Sequence, residues 1–134
     1  MADVTEDDVV FTFAKAWNRL DPEEFLALLA PEARYASQWV FDELIGASAI
    51  SDYLRNKMRT VRAHSPNDPN ARVRVEVGRI AHGEADRPCA FMTQGHGDKV
   101  QAAVLFEISE GRVSRYDLGI PQLVGAVRTG IFPV

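Results

Sequence analysis

Residues 9–35 read VVFTFAKAWNRLDPEEFLALLAPEARY. Val10, Phe13, Ala14 and Trp17 recur at i, i+3, i+4 and i+7, and Leu20 continues the face. That period is the one an amphipathic helix needs, and it predicts a first helix over residues 6–19. Thr5 stands three residues before Asp8, a capping-box spacing. Asp21-Pro22-Glu23-Glu24 is a second start signal: Asp21 can cap, Pro22 suits a first helical position, and Glu24 can reach back. Phe25, Leu26, Leu28 and Leu29 give this shorter helix a broad apolar face, and Pro31 stops it. The period then changes to two. RYASQWV, residues 34–40, alternates and is rich in aromatics, which predicts a strand.

Working outward, Gly46 punctuates, and FDELIG is read as the connection into a third helix over residues 47–62. Ala47, Ile50, Leu54, Met58 and Val61 hold its period, with Tyr53 flanking. HSPNDPN cannot continue it, because its prolines and asparagines favour a loop. From Arg72 the period is two again, with Val73, Val75 and Val77 on one face. PCAFMTQ, residues 100–108 and VSRYDLG follow as strands, separated by GHGDK and SEGR. Such close spacing suits an antiparallel meander. Three helices, an early strand and a meander make one α+β domain over residues 1–134. The sheet must curl to bury the helices, which leaves a cone with a pocket at its open end.

Composition narrows the function. The net charge is 15 − 19 = −4 over 134 residues, with scattered Lys and Arg. Nucleic acid is not an expected partner, since phosphates need clustered cations. No apolar run reaches the roughly 18 residues of a membrane span, and MADVTEDD is not a signal peptide. Cys89, the single cysteine, excludes an internal disulfide, and a cytoplasmic location is expected.

The order of elements, with VVFTFAKAWNRLDPEEFLALLAPEARY and IGASAISDYLRNKM, resembles the nuclear transport factor 2-like superfamily, which includes SnoaL-like and ketosteroid-isomerase-like proteins. The matching positions are Trp17-Asn18 at the end of the first helix, residues 21–30, Glu32-Ala33-Arg34-Tyr35, and residues 46–50. The resemblance implies the cystatin-like cone, three helices held in a curved, mainly antiparallel sheet, and a homodimer paired through that sheet. It covers nearly the whole chain but does not choose an activity. Steroid isomerases of this group use a tyrosine oxyanion donor, an aspartate base and a protonated acid. Here those positions fall on Phe13, Ser37 and near Val104, so that mechanism is not expected. The alignment does turn Tyr35, Ser37 and Trp39 toward the pocket.

The candidate catalytic residues are Asp117, His96 and Tyr35, and the candidate binding residues are Phe13, Trp17, Ser37, Trp39, Tyr53, Met92 and Arg115. Arg115 and Asp117 alternate with Tyr116 on the last strand. Facing inward they are an ion pair in the pocket; facing outward they are surface charges. Asp42 and Glu43 are adjacent and point to opposite faces of a strand, so they read as a turn, or as a single base at the rim. His64 and His82 read as loop and strand-end residues, and His96 as a hairpin residue near the cone mouth. No histidine pair has the spacing of metal ligands, and no metal or cofactor is expected. Trp17, Phe13, Tyr53 and Met58 read first as core, since apolar residues at helical spacing pack, and in a cone the same side chains can also form the inner wall. Two functions remain open. One is a cofactor-independent isomerase or lyase acting by proton transfer on a small apolar or aromatic molecule. The other is a non-catalytic ligand-binding or dimerisation module.

Overall fold

Thr5 opens the first helix as the capping-box spacing requires. Its Oγ1 accepts from the Asp8 N–H, and Asp8 Oδ2 accepts from the Thr5 N–H, both at 3.1 Å. The helix, α1, runs Glu6–Arg19. It ends at Leu20, which adopts the left-handed conformation (φ 56°). The computed structural model describes residues 4–37, 43–68, 72–82, 85–94, 100–119 and 126–134. Its further helices are α2 (Glu23–Leu26) and α3 (Ala47–His64). Its strands are β1 (Leu29–Ser37), β2 (Leu44–Ile45), β3 (Val73–His82), β4 (Ala85–Gln94), β5 (Val100–Ser109), β6 (Arg112–Gly119) and β7 (Ala126–Ile131). The strands form a seven-stranded sheet in the order β2-β1-β6-β5-β4-β3-β7. Only β1 and β6 run parallel; every other pair is antiparallel.

Helix α1 packs on β3, β4 and β5, while α3 packs on β1 and β2. The sheet therefore wraps one side of the helices, as an α+β cone does. Phe13 sits at the centre of the buried layer. Its ring meets Phe25 at 5.1 Å and Phe106 at 5.2 Å, both edge-on. Aromatic rings prefer this geometry, and each such buried side chain contributes roughly 1.5–3 kcal/mol. Val9, Ala14, Ile50, Leu54, Met58 and Val104 complete the layer.

Four elements differ from the sequence reading. Helix α2 is four residues long, and Leu29, expected in it, already belongs to β1. The reason is a competing sheet bond: the Val113 N–H donates to the Leu28 carbonyl at 2.9 Å. Pro31 lies inside β1 rather than after a helix. Proline offers no N–H to a ladder, and the β1–β6 register jumps between Leu29 and Arg34. Leu44 and Ile45, expected in a connection, pair with Tyr35 and Arg34. The apolar tail supplies β7, which extends the sheet beyond β3. The β5–β6 turn follows the expected SEGR, with Glu110 (φ 54°) and Gly111 (φ 75°) both left-handed, as a tight hairpin turn requires.

Candidate functional site

Between α3 and the concave face of the sheet lies a cavity of about 570 Å³. That is within the size range of small-molecule sites. Its floor is aromatic. Phe13, Trp17, Tyr35 and Tyr116 line it and are buried. Tyr35 stacks on Tyr116 at 4.5 Å and leans on Tyr53 at 5.6 Å. The Tyr35 hydroxyl is hydrogen-bonded with the side chains of Ser37 and Tyr53. Burial is the largest influence on this phenol and raises its pKa above the usual tyrosine value; the Ser37 bond opposes the rise. Burial also raises Tyr116, with Tyr35 and Tyr53 adding to it. Both hydroxyls therefore stay protonated at neutral pH and can donate.

Two donors on this wall have no acceptor. Trp17 Nε1 and Tyr116 Oη are buried without a hydrogen-bond partner among the described residues. Trp17 is 5% exposed and Tyr116 1%. An unsatisfied buried donor costs about 1–3 kcal/mol, so each requires a reason.

The open end is polar. Lys57, Thr60 and His64 line the cavity from α3 and are exposed. The His64 Nδ1 donates to the Thr60 carbonyl at 2.8 Å. No carboxylate lines the cavity among the described residues. Nor do three His, Cys, Asp or Glu side chains come together there as a metal site requires.

Six of the candidate residues meet in this cavity: Phe13, Trp17, Tyr35, Ser37, Tyr53 and Met92. Trp39 and His96 lie outside the described residues. Arg115 and Asp117 do not line the cavity; they lie on the opposite face of β6 from Tyr116 and Leu118. Arg115 Nε donates to both Asp117 carboxylate oxygens at 3.1 and 3.0 Å, and Nη1 donates to Glu43 at 2.6 Å. The Arg115 side chain is 34% exposed and that of Asp117 46%, so this is a surface network. A strand irregularity explains the placement. Ile108 pairs with Val113 while Glu107 pairs with Arg115, so β6 carries one extra residue. A bulge of this kind breaks the alternation of faces: Val113 is buried although it shares parity with Arg115.

The sequence reading missed Lys57, Thr60, His64 and Tyr116. The first three were signalled by spacing. Tyr53, Lys57, Thr60 and His64 fall at steps of four, three and four, one face of a helix. Tyr116 was hidden by the bulge.

The geometry defines a class: a cone of helix and curved sheet with a cavity at one end. No family model matches the chain, and no curated protein matches it in sequence. Solved structures do. An NTF2-like protein of unknown function from Cytophaga hutchinsonii is 11% identical, with a TM-score of 0.59 over 90% of this chain and 93% of its own. The epoxide hydrolase/cyclase-like enzyme SalBIII, with a role in pyran-ring formation in polyether salinomycin, is 15% identical (TM-score 0.56; 92% and 95% covered). A Catenulispora acidiphila protein with a ketosteroid isomerase-like fold, solved with trimethylamine, is 16% identical (TM-score 0.55; 85% of each chain). The chain has the nuclear transport factor 2-like fold, and at these identities the likeness extends to the fold alone. Among the described residues no helix is long and apolar enough to cross a membrane.

Proposed function

We propose that the protein binds a small molecule with an apolar or aromatic body and an acceptor oxygen held at the cavity floor. The observation that carries this is the pair of orphaned donors, Trp17 Nε1 and Tyr116 Oη, on the wall of an aromatic-lined cavity. A carbonyl oxygen accepts two hydrogen bonds, so a ligand that reaches these groups supplies an acceptor that the surrounding residues do not. Contact with the apolar lining, Leu54, Met92 and Leu118 among it, supplies the non-directional part of the affinity.

A second reading uses the same donors for catalysis. Neutral tyrosines aimed at a carbonyl stabilise the oxyanion that forms when an adjacent proton leaves. One solved structure of similar fold is an epoxide hydrolase/cyclase-like enzyme, although the fold alone does not choose an activity.

The binding reading is tested with 2-acetylnaphthalene, an aromatic ketone, added to a Trp39→Phe variant so that Trp17 alone reports. We expect saturable, one-to-one quenching at micromolar concentration. Linear, unsaturable quenching would reject it. Exchange of the methyl-ketone protons in D₂O, faster than in buffer and slowed in Tyr116→Phe, separates the catalytic reading from plain binding.

A further inference from the structure

The two ends of the cavity differ in chemistry. At the floor the polar groups are neutral hydroxyls and an indole N–H, with no cation beside them among the described lining residues. At the mouth α3 presents Lys57 and His64. Lys57 has no ion-pair partner among the described residues, whereas Arg55, two residues earlier on the same helix, is held by Glu23 at 2.8 Å. The chain as a whole is acidic, with net charge −4, yet no acidic side chain among the described residues lines this cavity.

We infer that the ligand is an aromatic or polycyclic acid, bound with its carboxylate at Lys57 and its neutral oxygen at the floor. The inference rests on the binding reading above and adds the ligand's charge and orientation. A carboxylate cannot go to the floor, because burying an ion without a counter-charge is far more costly than burying a carbonyl. At the mouth water still solvates it and Lys57 attracts it at short range. The volume fits as well: about 570 Å³ holds a fused-ring body with polar groups at its two ends. Thr60, between Lys57 and His64, adds a hydroxyl to the same edge.

The experiment compares 6-acetyl-2-naphthoate with its methyl ester, which differ at the outer end by one charge and one methyl group. The acid should bind the Trp39→Phe protein roughly fivefold more tightly than the ester at low salt, a gap at the upper end of what an exposed ion pair supplies and one that added salt narrows. Lys57→Gln should remove most of the gap, and Lys57→Glu should reverse it. Lys57 is exposed, so neither change threatens the fold. An ester that binds as tightly as the acid, with Lys57→Glu leaving the order unchanged, overturns the inference while the binding reading stands. If acid, ester and 2-acetylnaphthalene all fail to saturate, both readings fall together.

Discussion

Tyr116 and Trp17 are where single side chains carry the account. Each is placed in the core by its apolar body and then leaves a donor unsatisfied. Their aromatic character was legible in the sequence, and Trp17 was read there as core that can also form an inner wall. The orphaned hydroxyl of Tyr116 was not legible, because its face depends on one extra residue in β6. Cys89 shows the same scale on the outer face of the sheet, where it is fully buried beside Phe91 and Ala103. Burial pushes its thiol up to about 11 from 9.0, against a smaller opposing influence of Arg79. A raised folded pKa means that the native state holds this proton more tightly than the unfolded chain does. Its stabilisation is therefore complete below about pH 9 and is lost as pH climbs toward 11. The loss amounts to about 2–3 kcal/mol. Urea unfolding between pH 8 and 11 should show this decline, and the Cys89→Ala protein should show a shallower one. Equal slopes in the two proteins would contradict the assignment.

At the scale of elements, the long helices and the meander were readable because their periods are strong. The capping box of α1 and the limits of β5 and β6 follow from local residues. The short elements were not readable, since nothing local distinguishes a four-residue helix from a turn. Helix α2 yields to the bond between Val113 and Leu28, and β2 exists only because Tyr35 and Arg34 lie opposite it. One side chain shows how such edges are held. Asn18 Nδ2 donates to the carbonyls of Val75 (2.8 Å) and Pro133 (2.7 Å), and its Oδ1 accepts from the Val75 N–H (2.8 Å). It thus acts as a strand for β3 where β7 does not reach, and ties the chain end to α1. Asn18→Leu should cost about 2–3 kcal/mol in urea unfolding, because the Val75 N–H and C=O are left without partners. Hydrogen exchange at Val75 should accelerate in step. An unchanged exchange rate would show that the strap is not structural.

At the scale of the whole molecule, the cone explains why the sequence told more about the pocket's walls than about its chemistry. Curling the sheet around α1 and α3 guarantees a concave space lined by whatever the inner faces carry. Phe13, Trp17, Tyr35 and Met92 were legible as such residues. Which charges join them depends on long-range packing. Here it removes Arg115 and Asp117 to the outer face and brings Lys57 and His64 to the mouth. The cavity is then a site only if its floor is built for an acceptor at some cost to the empty fold. Unfolding of the Tyr116→Phe protein in urea, with and without 2-acetylnaphthalene, tests that claim most directly. The account predicts opposite signs: without ligand the variant is more stable by about 1 kcal/mol, since an unsatisfied buried hydroxyl is gone. The ligand should then stabilise the variant less than it does the parent, reflecting roughly tenfold weaker binding. A variant that is less stable than the parent without ligand, and that gains as much as the parent when ligand is added, would contradict it.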